Sequence, residues 1–129
     1  MVMVVDDEPR LCDVLSRVLE KEGYRVITAL DGETALGLIK ENKPDVILLD
    51  LLMPGIDGRE VCHRLRELST SIRIIYFTAK GKPTDPLELK ELHDEADAFI
   101  AKSTTSKQIL SRLSRVCYKV LANKYEYLT

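Results

Sequence analysis

Cysteine is sparse in this 129-residue chain: Cys12, Cys62 and Cys117 are odd in number, far apart and without a C-x-x-C spacing. They define neither a disulfide framework nor a zinc site, and they read as buried thiols of a reducing compartment. A basic block is also lacking, because 19 lysines and arginines are dispersed among 21 acids for a formal charge of -2. A chain that neutralises a row of phosphates needs such a block, so nucleic acid is not expected as a direct ligand. The N-terminus has no basic segment followed by an apolar core, and no apolar run approaches the roughly 20 residues that span a bilayer. A cytoplasmic protein with no membrane partner is therefore expected. Internal repeats and low-complexity segments are missing too, and no G-x-x-x-x-G-K-[ST] run supports nucleotide binding through a P-loop.

What is present is ordinary for one globular domain. Hydrophobic residues make up 45% and charged residues 31%, and a chain of this length buries enough surface for a single core. The expectation is one domain over residues 1–129. Short, mostly β-branched apolar runs at 2–5, 25–29, 46–49, 72–77 and 98–101 read as strands. Four of the five are almost unbroken in hydrophobicity, as in a parallel sheet covered on both faces.

Helical spacing lies between them. Pro9 suits a first helical turn, Leu11, Val14, Leu15, Val18 and Leu19 form one apolar face, and Gly23 can close the helix in a left-handed conformation. Asp31 can cap a second helix carrying Ala35, Leu36 and Ile39. A third spans about 59–68 with Val61, Cys62, Leu65 and Leu68 inward, and a fourth starts near Pro86 with Leu89, Leu92 and Ala96 inward. The last covers about 106–122, with Ile109, Leu113, Val116, Cys117 and Val120 on one stripe. Alternating strands and helices imply right-handed crossovers and an α/β doubly wound parallel sheet.

In such sheets ligands bind beyond the carboxyl ends of the strands. Asp6 and Asp7 follow the first strand, Asp50 the third, Thr78 ends the fourth and Lys102 follows the fifth, whereas the second ends in Leu30 and Asp31. Each residue alone has a plain explanation: "DDE" as a solvated charge run, Lys102 as a surface lysine, Thr78 as a strand-end hydroxyl, Phe99 as core. Glu8 favours the start of the first helix through its dipole, and His63 and His93 lie on helices away from the strand ends. The constellation is more specific. Neighbouring Asp6 and Asp7 point in different directions, so one can ligate a hard cation while the other orients its water. Magnesium favours that arrangement and leaves positions for phosphate oxygens. Lys102 could pair with one such oxygen and Thr78 could donate to another.

The segments "VVDDEP", "VILLDLLMPGIDG", "IIYFTAK" and "ADAFIAKS" resemble, in order and nearly end to end, the receiver domains of two-component response regulators, the CheY-like superfamily. The resemblance implies a flavodoxin-like (βα)5 sandwich with strand order 2-1-3-4-5. It implies that Asp50 is a phosphoacceptor served by a sensor histidine kinase or phosphotransfer protein. Asp6, Asp7, Asp50 and the backbone carbonyl of Leu52 would hold Mg2+, or another divalent cation such as Mn2+. Thr78 would be the switch hydroxyl, Lys102 the ion-pairing lysine and Phe99 the aromatic whose rotation accompanies activation. Such a domain is not an enzyme in the ordinary sense, although it assists its own phosphorylation and dephosphorylation.

The residues after Lys102 suffice for one helix and a short tail, so no effector domain is expected in this chain. Output would pass through protein contacts, to a downstream target or a homodimer, on the face of the fourth and fifth helices and the fifth strand; alternatively the chain is a piece of a longer regulator. Four departures from the family pattern stand out. Ser103 follows Lys102 where proline is common, the interval from Thr78 to Lys102 is long and holds Pro83 and Pro86, and Glu95 replaces a usual glycine. Leu52 puts an apolar side chain where a polar group could position water, which predicts slow loss of the phosphoryl group. Two other readings compete: a receiver-like scaffold that works without phosphorylation, and an Asp-nucleophile phosphatase. The second would require an acid at the position of Leu52.

Overall fold

The computed structural model describes residues 1–68, 71–78, 96–102 and 104–126, with Thr78 and residues 117–126 described by backbone alone. Strands β1 (Val2–Val5), β2 (Val26–Ala29), β3 (Val46–Leu49), β4 (Arg73–Thr78) and β5 (Ala98–Ala101) form one parallel sheet in the order β2-β1-β3-β4-β5. Helices α1 (Pro9–Lys21), α2 (Gly32–Asn42) and α3 (Gly58–Leu68) follow the first three strands, and a C-terminal helix (Ser106–Glu126) follows the fifth. This is the flavodoxin-like order expected from the sequence. The fourth helix expected near Pro86, with Leu89 and Leu92, lies outside the described residues, whereas Ala96 is buried just ahead of β5.

Side-chain alternation along the strands builds two cores, because successive residues face opposite sides of a sheet. Met3, Val5, Ile47, Leu49, Ile74, Tyr76 and Phe99 meet α2 and α3 through Ala35, Leu36, Ile39, Val61, Cys62 and Leu65. Val2, Val4, Leu48, Ile75, Phe77 and Ile100 meet α1 and the C-terminal helix through Cys12, Leu15, Leu19, Ile109 and Leu113. A sheet covered on both sides explains why its strands read as continuous apolar runs.

The local signals behave as their chemistry dictates. Pro9 opens α1 and Gly23 adopts φ +90° just beyond its end. Asp31 Oδ1 accepts from the Thr34 amide at 2.7 Å and caps α2; these hydrogen bonds hold its carboxyl below the usual carboxylate range. Two inward assignments need correction. Val14 is 54% exposed, because Cys12, Leu15 and Leu19 set the buried line of α1 and Val14 lies furthest round from it. Leu68 is 56% exposed at the last position of α3, where the helix ends. Element ends also move by a few residues: β2 starts at Val26, β4 is displaced one residue to Arg73–Thr78, α3 begins at Gly58, and the last helix continues to Glu126.

Cys12 and Cys62 are free and buried. The Cys12 thiol donates to the Asp6 carbonyl oxygen at 3.5 Å, and burial, helped by the charges of Asp6 and Asp13, pushes it up to about 11 from 9.0. At pH 8 its thiolate is then about 100-fold scarcer than for an ordinary cysteine. Iodoacetamide should therefore label Cys12 at least about 100-fold more slowly in the native protein than in urea. Peptide mass mapping gives both rates, and similar rates would show that the thiol is open to solvent.

Candidate phosphoacceptor site

Sheet register brings the acids together. Val5 is level with Leu49, so Asp6 and Asp50 leave the sheet side by side, and the Asp50 amide donates to the Val5 carbonyl at 3.0 Å. Both carboxylates are buried, at 1% and 4% exposure, although neither is in the apolar core. Asp7 is exposed beside them. The three carboxyl groups each offer an oxygen within 4.8 Å of the others.

Backbone turns fix the acidic side chains. Asp6 Oδ1 accepts from the Glu8 amide at 3.0 Å, a local turn that leads into α1. Asp50 Oδ1 accepts from the Leu52 amide at 3.2 Å. Gly55, at φ +79°, supplies the left-handed bend of the following loop. The chain then returns so closely that the Gly58 amide donates to the Leu51 carbonyl at 3.0 Å. α3 therefore begins against the backbone of Asp50 itself.

Lys102 arrives from the far edge. Leu49, Tyr76 and Phe99 are level across the sheet, so Lys102 starts two residues beyond the level of Asp50, and its long stem spans the offset. Its Nζ donates to Asp50 Oδ2 at 3.2 Å and lies 2.8 Å from Asp6 Oδ2. The second contact is close in distance but poorly aligned as a hydrogen bond. Asp6 Oδ2 is consequently buried with no hydrogen-bond donor among the described residues.

Electrostatics follow from this crowding. Burial pushes the Asp50 carboxyl above the usual range, repulsion from Asp6 adds to it, and the Leu52 amide and Lys102 act in the opposite direction. For Lys102 burial opposes the charge, but the two carboxylates beside it, Asp6 and Asp50, outweigh it and hold the ammonium above its ordinary value. One ammonium against three carboxylates leaves a net negative site. An all-oxygen donor set, local excess negative charge and a buried oxygen lacking a donor fit a hard divalent cation such as magnesium.

The sequence model of the response regulator receiver domain matches residues 2–114. The chain belongs to that family. Solved structures agree with the assignment of this receiver domain. Chemotaxis protein CheY4 of Vibrio cholerae is 30% identical with a TM-score of 0.80, over 89% of this chain and 96% of that one. Response regulator TrrA of Thermotoga maritima, in complex with Mg(2+)-BeF, is 32% identical with a TM-score of 0.77, over the same 89% and 96%. A CheY-like receiver domain of Methanospirillum hungatei is 26% identical with a TM-score of 0.82, over 94% and 96%.

The other residues singled out in the receiver domain are placed as follows. Thr78 ends β4 level with Ala101, one residue before Lys102; its hydroxyl lies outside the described atoms. Phe99 is buried, its ring 5.5 Å from that of Tyr76 and tilted 41° to it, and Arg112 of the C-terminal helix donates to its carbonyl at 2.8 Å. Leu52 is 60% exposed, and its amide donates to Asp50. His63 is exposed and lies 3.4 Å from Glu67 one turn along α3. His93, Glu95, Ser103 and the loop containing Pro83 and Pro86 lie outside the described residues. Among the described residues no helix is long and apolar enough to cross a membrane.

Sequence reasoning did not foresee the Leu52 amide, Tyr76 against Phe99 or the Arg112 contact, whereas Pro54, Gly55 and Gly58 of the "PGIDG" turn do signal a loop folded tightly beside Asp50.

Proposed function

We propose that this single receiver unit is phosphorylated on Asp50 by the phosphohistidine of a sensor kinase or phosphotransfer protein, in a magnesium-dependent reaction in the cytoplasm. The observation that carries the reading is the Asp50 carboxylate itself: buried, held at Oδ1 by the Leu52 amide and at Oδ2 by Lys102, with Asp6 and Asp7 alongside. Asp50 supplies the nucleophilic oxygen. An oxygen–phosphorus bond forms, the phosphorus–nitrogen bond breaks, and its electron pair returns to the donor imidazole. Phosphoryl transfer is loose at the transition state, so positioning and charge neutralisation supply most of the catalysis.

Asp6, Asp7, Asp50 and the Leu52 carbonyl would hold the divalent cation, which adds positive charge beside the phosphoryl oxygens. Lys102 pairs with one of those oxygens and Thr78 donates to another. That new bond at the end of β4 is read out at Phe99, and output goes to a protein target or a second receiver on the face of β5 and the C-terminal helix. The TrrA complex with Mg(2+)-BeF supports the role of the ion.

Incubation with magnesium and acetyl phosphate tests the reading. Intact-protein mass spectrometry should show one phosphoryl increment, lost with EDTA and with Asp50→Asn. An unmodified wild-type protein would favour a phosphorylation-independent scaffold, and steady turnover of unrelated phosphoesters would favour a phosphatase. The exposed, apolar Leu52 has no group with which to orient an attacking water. The phosphorylated form should accordingly last minutes or longer, and Leu52→Asn should shorten its lifetime about tenfold. Loss within seconds in the wild type would sink that expectation.

A further inference from the structure

The first turn of α2 meets the loop that follows Asp50. Gly32, the first residue of α2, is buried and has no positive φ, so its position requires the missing Cβ rather than a special backbone. A Cβ there would stand 2.5 Å from Ile56 Cγ1, 2.7 Å from Val61 Cγ2 and 2.9 Å from Ile56 Cδ1. Ile56 and Val61 flank the start of α3. Asp57 caps that helix by accepting from the Glu60 amide at 3.0 Å, so Ile56 precedes the cap and Val61 lies one turn in, the spacing of a hydrophobic staple. The staple of α3 is thus closed on the bare backbone of α2. Arg64 braces the same junction, donating to Glu60 Oε1 at 2.9 Å on its own helix and to Glu33 Oε1 at 3.2 Å on α2.

We infer that Gly32 and Ile56 are positioning residues of the Asp50 site, acting through the loop 51–57. The inference rests on the function proposed above. That loop gives the Leu52 amide to Asp50 Oδ1, bends at Gly55 and returns at Gly58 against the Leu51 carbonyl. Around the bend Pro54, Gly55 and Asp57 are exposed, and Ile56 is the residue that packs inward against the core. The seat of Ile56 therefore sets how the returning arm lies. Through the Gly58–Leu51 hydrogen bond it also sets where the Leu52 amide stands beside Asp50. A methyl group on Gly32 would take that seat. Turning the tip of Ile56 does not relieve the contact, because the nearest atom is Cγ1, close to the backbone, so the loop must shift. Neither residue meets the reacting atoms, and their effect is on placement alone.

A double-mutant cycle tests the seat. Gly32→Ala, Ile56→Ala and the double variant are compared with wild type, with circular dichroism to confirm folding. Leu19→Val, in the opposite core, is the control that lowers stability alone. Amide hydrogen exchange in EDTA needs neither metal nor phosphoryl group. The Leu52 amide should exchange about tenfold faster in each single variant. The Arg73 amide, bonded to the Asp45 carbonyl at the other end of the sheet, should keep its wild-type rate. Phosphorylation by acetyl phosphate with magnesium should slow about tenfold in both single variants and stay near the wild-type rate in Leu19→Val. In the Ile56→Ala background the added methyl has the space that Ile56 vacated, so Gly32→Ala should then change either rate by less than about twofold. Effects that multiply in the double variant, or Leu52 exchange at the wild-type rate in the folded single variants, would overturn the inference and leave the proposed function standing. A wild type that took no phosphoryl group would remove the proposed function, and exchange at Leu52 alone would then decide the seat.

Discussion

Asp50→Asn should unfold at a higher temperature than the wild type in EDTA at neutral pH, although the reading proposed above makes it unable to take a phosphoryl group. The carboxyl of Asp50 is held above its ordinary value of 3.8, chiefly by burial and then by the nearby Asp6 charge. A carboxyl with a raised folded value binds its proton more tightly in the folded than in the unfolded state. Its contribution to stability therefore declines as pH rises from about 3.8 through the folded value, and the penalty is complete above that. Asparagine removes the charge, keeps an oxygen for the Leu52 amide, and leaves the whole Lys102 ammonium to Asp6. The gain in melting temperature should shrink as pH falls toward 3.8. Magnesium should stabilise the wild type more than the variant, because the variant has one carboxylate fewer to bring to it. A variant that melted below the wild type at neutral pH would mean that pairing with Lys102 outweighs the cost of burying the charge.

The same conflict explains what could be read in the sequence. Carboxylates after β-branched runs are visible because strand ends are visible, so Asp6, Asp7, Asp50 and Lys102 could be named together before any geometry was known. Parallel topology then required them to share one edge. What sequence cannot encode locally is pairing between distant strands. Nothing around Lys102 indicates that it bridges Asp6 and Asp50. The same holds at the opposite end of the sheet, where Asp97 lies 3.3 Å from Arg66 and 3.2 Å from Arg73 and accepts from the Ile74 amide at 2.8 Å. Those contacts tie α3, β4 and β5 together through residues with no spacing rule in common. Helical faces are only partly legible for a related reason. Apolar spacing identified α1, but the tighter line of Cys12, Leu15 and Leu19 decided which of its residues are buried, and Val14 fell outside it.

Gly58→Ala should be the most damaging conservative change in the loop after Asp50. Helix propensity alone argues the reverse, since alanine is favoured over glycine within a helix by about 1 kcal/mol. Gly58 begins α3, and a Cβ there would stand 2.2 Å from the Asp50 carbonyl oxygen and 2.9 Å from Leu51 Cα. Both are backbone atoms, so no side chain can turn aside to relieve the clash. Either α3 moves away and breaks the hydrogen bond from Gly58 to Leu51, or the Asp50–Leu52 segment moves and takes the Asp50 carboxylate with it. We expect a net loss of about 2 to 3 kcal/mol in urea unfolding, as for an overpacked core site. Magnesium affinity and the rate of phosphorylation by acetyl phosphate should fall together, because both depend on where Asp50 sits. Gly37→Ala in α2 is the control: nothing lies within 4 Å of its Cβ position, so propensity acts alone and stability should rise by up to about 1 kcal/mol. If Gly58→Ala followed Gly37→Ala upward, α3 would not start against the Asp50 backbone. The close approach of helix and buried carboxylate, which ties the fold to the candidate site in this domain, would then have to be abandoned.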